Sequence, residues 1–560
     1  MLYHIACRTQ MSCTLPNEIL YRISKLVGEE SILDLKPFVL VNRQWHAAAA
    51  PALAAVISVT SLGKLIELCD QITSYQRDDT TSRSTLAKFT KTIVISGIVD
   101  GDADSHLGLD DLGAQPRGQN EGPEEDSIQA DIEMEPEIIR SKLHVALSRL
   151  VLLSGFEWYG RFAGDYYLVR YLQQSKTIRH LAYGIDRSVS NVSLAYRKHA
   201  FAFEGLETVT VTCQYEPSSG LFYAIAQMMH RNPNLRSILF DCNYRIIAAH
   251  WSLVDFICDT TLPDQAMFVW QNLSRLVLRF WKGELWQSAE EVELLTRFLV
   301  AHPKLETLVL QEIFNGSKRQ TAKPLSLLKY PDSLPALKRL LGSPRLIAGV
   351  LESQAACSSV ERVIDNSEEG FDLKGAKAPY IDRIMDALES VSDNQIQRLR
   401  LRIPRLNRNL YARIAQLAPK IRSLDFLCSF EFGSTTPYGS DFNPLVDIPS
   451  GLNNFPCLEI IGYHIARDFQ RAYEGSGDIL ELAKQVPRIK AIHGPAGHID
   501  PINRYPNGEV GFAESPRFLD NADYDWVTFD VGWRHRPISQ RQFKRLRCLD
   551  DSIKLEYQFV

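Results

Sequence analysis

His493 and His498, in the stretch HGPAGH, are the closest-set imidazoles of the chain's 13 histidines. Two ring nitrogens on a Gly/Pro loop supply half of the tetrahedral set that zinc requires, so a turn is expected there and no metal. Ten cysteines are scattered singly between Cys7 and Cys548 with no C-x-x-C pair, which encodes neither a zinc ribbon nor a thiol redox centre. The phosphate-cradling G-x-x-x-x-G-K-[ST], the dinucleotide G-x-G-x-x-G, the G-x-S-x-G elbow and H-E-x-x-H are all absent. Carboxylates are plentiful, but one sequence does not set two of them across a cleft. The expectation is a chain with no catalytic residue, no metal and no cofactor.

Cationic chemistry is concentrated near the C-terminus, at Arg534, Arg536, Arg541, Lys544, Arg545 and Arg547, with Trp533 and Phe543 beside them. Nucleic-acid contact would need such a patch. A solvated face on a capping element explains it as well, and is the expectation. Across all 560 residues, 62 Lys+Arg stand against 67 Asp+Glu, a net charge of −5, so no overall field favours nucleic acid. With 45% hydrophobic and 23% charged residues the composition is globular. The longest apolar run, from Ala47 to Val59, is broken by Pro51 and Ser58 and is too short to span a bilayer. MLYHIACRTQM lacks a secretory apolar core, which predicts a cytoplasmic or nuclear protein. Patterned sequence begins only after Met11, so Met1 and Met11 are both candidate starts.

Three short helices are predicted over 14–50. Pro16 suits a first helical turn, and Glu18 places negative charge at its positive end. Ile19, Ile23 and Leu26 form one apolar stripe, widened by Leu20 and Val27, and Gly28 ends the helix. Ser31 opens a short second helix through Ile32, Leu33 and Leu35. After Pro37, Phe38, Val41 and Trp45 recur at helical spacing on a third. So small a bundle is marginal alone, and its stripes must be covered. Leu15, Ile19, Leu20, Ile23 and Leu40 would dominate a helix-in-groove contact, each worth about 1.5–3 kcal/mol when buried. The cover is either a second protein or the rest of this chain, and the periodicity alone does not choose.

The order L-P-x-E-I-L-x-x-I-x-x-L, a Leu-rich helix and then L-V-N-R-x-W closely resembles the F-box. The positions that carry it are Leu15, Pro16, Glu18, Ile19, Leu20, Ile23, Leu26, Leu33, Leu35, Leu40, Val41, Arg43 and Trp45. The alanine run and Pro51 that follow are similar to those of F-box proteins of filamentous fungi. The resemblance implies docking onto the Skp-type adaptor of a cullin-RING ubiquitin ligase through Leu15, Pro16, Glu18, Ile19, Leu20, Ile23, Leu26, Leu33, Leu40, Val41 and Trp45. It spans roughly 12–50. The loop GEES and the early Pro37 depart from the commonest form.

Residues 100–137 hold 13 Asp/Glu and one basic residue, Arg117, which is the composition of a disordered loop. Beyond it one phrase recurs: an apolar anchor followed by apolar residues three and five positions later. It is written as Leu147-Leu150-Leu152, Ile178-Leu181-Tyr183, Leu206-Val209-Val211, Leu235-Ile238-Phe240, Leu273-Leu276-Leu278 and Leu305-Leu308-Leu310. It continues as Leu337-Leu340, Val360-Val363, Ile396-Leu399-Leu401, Ile421-Leu424-Phe426, Leu458-Ile461-Tyr463 and Ile489-Ile492. Anchors are about 31 residues apart on average. Proline precedes several of them (NPNL, HPKL, APKI, FPCL, VPRI), ending one helix and starting an extended segment. Between phrases, Phe222-Ile225-Ala226-Met229, Ile381-Ile384-Met385-Leu388 and Ile479-Leu482-Ala483-Val486 keep helical spacing, and Ser288-Ala-Glu-Glu291 reads as a capping box before Val292, Leu295 and Leu299.

Helix, proline turn and strand cannot each bury an apolar side alone, so units must stack with parallel strands. Period and phrase resemble leucine-rich repeats, although no Asn or Cys recurs after the strand. A long α/β domain with coincidental leucine spacing is the alternative. The expected class is α/β: an N-terminal three-helix F-box, then an irregular leucine-rich-repeat solenoid. The expected organisation is F-box 11–55, connector and first irregular repeat 56–99, acidic disordered loop 100–137, repeat array 138–500 and C-terminal cap 501–560. After residue 500, PINRYPNGEVGFAESPRF is read as loop and Trp526 to Trp533 as strand-like.

Together the two resemblances imply a non-catalytic substrate receptor of an SCF-type ligase, holding the adaptor at one end and an unidentified protein target on the array. Residues between strand anchors, including Glu207, Arg236, Glu306 and Arg422 with Thr208, Ser237, Thr307 and Ser423, would face that target. A repeat scaffold outside any ligase and, behind it, an enzyme on an α/β fold are the rival readings.

Overall fold

A computed structural model describes residues 19–20, 22–24, 43–59, 62–74, 88–98, 136–160, 166–185, 201–213, 219–242, 256–258, 267–280, 289–311, 324–365, 379–403, 406–428, 442–472, 479–493, 498–506, 509–512 and 517–518. The chain divides into two compact units, Met1–Thr177 and Ile178–Glu556.

In the first unit the order is α1 (Arg43–Ala54), β1 (Val56–Val59), α2 (Leu62–Ser74), β2 (Thr92–Ile98), α3 (Pro136–Arg149), β3 (Gly155–Gly160) and α4 (Tyr166–Ser175). The three strands are parallel, with Ile57 beside Ile93 and Ile93 beside Phe156. The anchor phrase is thus present here as Ala54-Ile57-Val59, Thr90-Ile93-Ile95 and Leu153-Phe156-Trp158. Thr90, buried in an anchor's place, donates its hydroxyl to the Ala54 carbonyl at 3.0 Å. This corrects the frame expected at 147–152. Leu147 belongs to α3, Leu152 is 46% exposed, and the strand starts at Gly155. A leucine-rich helix end reproduces the phrase six residues too early.

The second unit runs β4 (His180–Ile185), β5 (Thr208–Cys213), α5 (Ser219–His230), β6 (Ser237–Cys242), β7 (Arg275–Phe280), α6 (Ala289–Val300), β8 (Thr307–Gln311), β9 (Arg339–Gly342), α7 (Pro344–Leu351), α8 (Gln354–Ser359) and β10 (Arg362–Asp365). It continues with α9 (Pro379–Glu389), β11 (Arg398–Ile403), α10 (Arg408–Leu417), β12 (Ser423–Cys428), α11 (Pro444–Leu452), β13 (Ile460–Ile461), α12 (Tyr463–Ala472), α13 (Ile479–Gln485), β14 (Ala491–His493), β15 (His498–Arg504), β16 (Val510–Phe512) and β17 (Arg517–Phe518). The class is mixed α/β on a mostly parallel, open sheet, and from β4 to β14 each strand pairs with the next in sequence.

The register explains the phrase. Leu181 lies beside Val209, and the same row continues through Ile238, Leu276, Leu308, Leu340, Val363, Leu399, Leu424 and Ile461 to Ile492. Side chains alternate along a strand, so the positions three and five after the anchor share one face. Helices cover that face: the Phe222 ring of α5 meets Phe240 edge-on at 5.7 Å, and Tyr411 of α10 meets Phe426 at 5.2 Å. The helical stripes expected around Phe222 and Ile381 fall on helices, the one from Ile479 does so as far as Ala483 while Val486 lies just past the end of α13, and α6 buries Val292, Leu295 and Leu299; Ser288 of the expected capping box lies outside the described residues.

The residue before the turn proline binds neighbouring units together. Asn232 accepts from the Leu206 N–H at 2.7 Å and donates to the Phe203 and Met228 carbonyls. His302 does comparable work, accepting from the Trp270 N–H at 3.0 Å and facing the Phe298 carbonyl at 2.6 Å.

Two further expectations are corrected. Tyr463 opens α12 instead of extending β13. The segment after 500, read as loop, contributes β15, β16 and β17, which pair antiparallel. β14 and β15 pair antiparallel, His493 beside Ile499, and residues 494–497, where the turn between His493 and His498 is expected, lie outside the described residues. Among the described residues no helix is long and apolar enough to cross a membrane.

Candidate functional site

The N-terminal phrase is described only in part. Residues 19–20 and 22–24 are helical; there Leu20 is 1% exposed, Ile23 half-buried and Ile19 41% exposed. Trp45, on α1, is half-buried. Leu15, Pro16, Glu18, Leu26, Leu33, Leu40 and Val41 lie outside the described residues, as do the acidic stretch up to 135 and the basic segment 534–547. Leu20 is thus buried while its neighbour Ile19 presents an apolar side chain to solvent.

Glu207, Arg236, Glu306 and Arg422 occupy one equivalent position, the residue after each anchor, just before the strand begins. Their backbone carbonyls all tie down the start of the next strand; that of Glu306, for instance, accepts from the N–H groups of Lys338 and Arg339 at 2.8 and 3.0 Å. Their side chains run along the edge of the stack, where Arg236 approaches Glu207 at 3.7 Å and Lys338 approaches Glu306 at 3.8 Å. Exposed pairs of this kind contribute little energy. They make the edge charge-alternating.

Two positions after the anchor the sequence carries a different signal, which leucine spacing does not reveal: LSR, LKR, VER and IQR. These put Arg275, Arg339, Arg362 and Arg398 on β7, β9, β10 and β11, with Thr307 of β8 filling the step between the first two. Alternation points them away from the helices. Arg275 is buried and the other three are half-buried. Arg400 and Arg402 follow on the same face of β11 and are both buried. Next to the arginines runs an apolar row, Leu239, Val277, Val309, Leu341 and Ile364, at most 3% exposed. Both faces of the middle strands are therefore buried, as in parallel sheets covered on two sides.

Carboxylates bracket this face. On β6, burial pushes the Asp241 carboxyl above its usual range, and Arg279 at 3.6 Å opposes that shift. On β12, Asp425 accepts from Nδ1 of His464 at 2.8 Å and from the Ile465 N–H at 3.2 Å, with Nε of Arg400 at 3.8 Å. Asp365 accepts from the Arg402 N–H at 3.0 Å. These interactions hold backbone and side chains in place.

A groove of about 530 Å³ near the end of the second unit is lined by Cys457, Glu459, Arg488, Lys490 and Arg504, among others. Its cations serve the fold. Arg504 donates to the carbonyls of Ala483, Val486 and Ile489, where α13 ends; Arg488 donates to the Phe455 carbonyl, and Lys490 pairs with Glu459 at 2.6 Å. Among the described residues no group of three His, Cys, Asp or Glu is placed to hold a metal ion. No family model matches the chain, and no curated protein matches it.

Proposed function

We propose that this chain is the substrate-recognition subunit of an SCF-type cullin-RING ubiquitin ligase, working in the cytoplasm or nucleus. An N-terminal F-box binds the Skp-type adaptor, and a leucine-rich-repeat array holds a protein target. Its contribution is proximity: a target lysine held near the ubiquitin donor reacts at a high effective concentration. The observation that carries this reading is the phrase from Leu15 to Trp45, with its F-box order of residues, placed ahead of a stack of helix–strand units. The exposed Ile19 beside a buried Leu20 supports it, because a docking helix must keep apolar surface for its partner while packing on its own chain.

Capture of purified Skp-type adaptor tests the proposal. Polar replacements at Leu15, Pro16 and Ile19 together are expected to abolish capture while the far-ultraviolet circular dichroism and melting of the repeat stack stay unchanged. Capture that survives those replacements overturns the assignment. A scaffold outside any ligase would show no adaptor capture by the unaltered protein.

A further inference from the structure

We propose that the groove near the end of the second unit captures the carboxyl end of a target polypeptide, with the terminal carboxylate on the fork of Arg488 and an apolar last side chain against Pro456 and Pro487. This deepens the receptor reading and rests on it. The groove follows from one reversal of chain direction. Stretches 456–459 and 487–490 are equivalent turns of successive units and lead into the parallel strands β13 and β14. β15 then returns antiparallel, with Pro501 beside Ala491, which carries 502–504 past the start of β14. The Ile502 N–H bonds to the Lys490 carbonyl at 2.8 Å and holds that segment alongside the turn. A third wall thus stands against two turns and encloses about 530 Å³, inside the range of roughly 300–1,000 Å³ usual for ligand sites. The groove is open to solvent: Pro456, Cys457, Pro487, Arg488, Lys490 and Arg504 are exposed, above the buried anchors Leu458 and Ile489.

Charge and hydrogen-bond capacity select the ligand. Arg488, Lys490 and Arg504 line the groove against a single carboxylate, Glu459. Lys490 is paired with Glu459 at 2.6 Å, which leaves the two arginines. Their ties to the fold use one nitrogen each: Arg488 spends Nη1 on the Phe455 carbonyl, and Arg504 spends Nη2 on the carbonyls where α13 ends. Among the described residues neither guanidinium pairs with a carboxylate. Nε and Nη2 of Arg488 remain, and these are the two donors that grip a carboxylate side by side. The last residue of a polypeptide carries its carboxylate and its side chain on one carbon, so the anion reaches the fork while the side chain rests on proline and the apolar floor. Glu459 opposes a doubly charged phosphate. Single-stranded nucleic acid is held largely by stacking on aromatic rings, and no aromatic side chain lines the groove.

The test uses the full chain and an N-terminally fluorescein-labelled peptide, Gly-Ser-Gly-Ser-Leu-Leu with a free carboxyl end, in fluorescence anisotropy. Parallel arms contain the same peptide as its C-terminal amide, a serine-phosphorylated peptide amide, oligothymidylate and, as unlabelled competitor, octanoate. The free acid is expected to bind, and amidation to weaken binding about tenfold or more through loss of a charge-assisted bidentate contact. Arg488→Gln is expected to weaken it about as much. Cys457→Trp, which sets a bulky ring in the groove from an exposed position, is expected to block it; urea midpoints verify that both variants are folded. Saturating free-acid peptide is expected to slow maleimide labelling of Cys457 in the unaltered chain. Absence of binding, equal binding of acid and amide, binding unaffected by both substitutions, an unprotected Cys457, or preference for the phosphopeptide, oligothymidylate or octanoate overturns the proposal. Adaptor capture is measured on the same proteins. Capture without binding of the free-acid peptide removes this proposal alone, whereas peptide binding without capture removes the ligase reading and leaves the groove as a site for chain ends.

Discussion

The Asp425 carboxylate and the His464 ring meet at 2.8 Å in the buried interior, joining β12 to the first turn of α12. Gly462 makes this contact sterically feasible. A methyl group at 462 would overlap the Asp425 carboxyl, on a strand neighbour whose position is fixed by the Gly462 N–H bonding to the Leu424 carbonyl at 2.7 Å. Gly462→Ala is therefore expected to destabilise the second unit by about 1–3 kcal/mol. Gly511→Ala is the control, since its new methyl group meets only the ring edge of the exposed Tyr505. Urea midpoints check both; an unchanged midpoint for Gly462→Ala contradicts the packing described.

His302 makes stability depend on pH in a defined direction. Its Nε2 accepts from the Trp270 N–H, which fixes the neutral ring with Nδ1 donating to the Phe298 carbonyl. Burial holds its pKa below the ordinary 6.5, against the opposing bond to Phe298. The folded state therefore prefers the neutral ring, while the unfolded chain takes up a proton near 6.5. This stabilisation is complete above that value, declines as pH falls through it, and levels off below the folded pKa. The urea midpoint of the unaltered protein is expected to drop more between pH 7.5 and 5.5 than that of His302→Gln. Equal drops contradict the assignment.

Thiol reactivity separates two cysteines. Burial pushes the Cys357 thiol up to about 12, so almost no thiolate is available at neutral pH, while Cys457 is exposed. Brief maleimide treatment of the native protein, mapped by peptide mass spectrometry, is expected to label Cys457 and leave Cys357 intact until urea is added. Native labelling of Cys357 at a comparable rate contradicts the burial described.

Much of the sheet is legible in the sequence because every unit solves the same problem. Ile238, Leu276 and Leu308 must each be covered by a helix and flanked by the next strand, so the apolar spacing repeats wherever that environment repeats. Leu147-Leu150-Leu152 misleads because the end of α3 packs its own leucines at spacings that imitate a strand phrase. β15 escapes the pattern because Pro501 and its polar neighbours read as loop; the strand is antiparallel and near the end of the sheet, where a missing N–H is tolerated.

The candidate site is less legible, for a physical reason. Arg275, Arg339, Arg362 and Arg398 are charged residues one place from an apolar one, a pattern that reads as a solvated strand face. Their partial burial is produced by the assembled sheet and by whatever covers Leu239, Val277 and Val309, neither of which is written in the spacing. Glu207, Arg236, Glu306 and Arg422 stand out in the sequence because they separate anchors, yet the fold sets them at the strand entrance. Of the N-terminal set, Ile19, Leu20, Ile23 and Trp45 have described surroundings, and the contrast between Ile19 and Leu20 cannot be read from two adjacent apolar letters.

That contrast supplies the most direct test of the receptor account. Affinity of the full chain for a purified Skp-type adaptor is measured by calorimetry, before and after Ile19→Glu, with thermal melting recorded for each protein. The account predicts binding by the unaltered chain, a loss of about tenfold or more on Ile19→Glu because a buried apolar contact becomes an unpaired charge, and an unchanged melting temperature because Ile19 is exposed. No binding by the unaltered chain, or equal binding by both proteins, contradicts it.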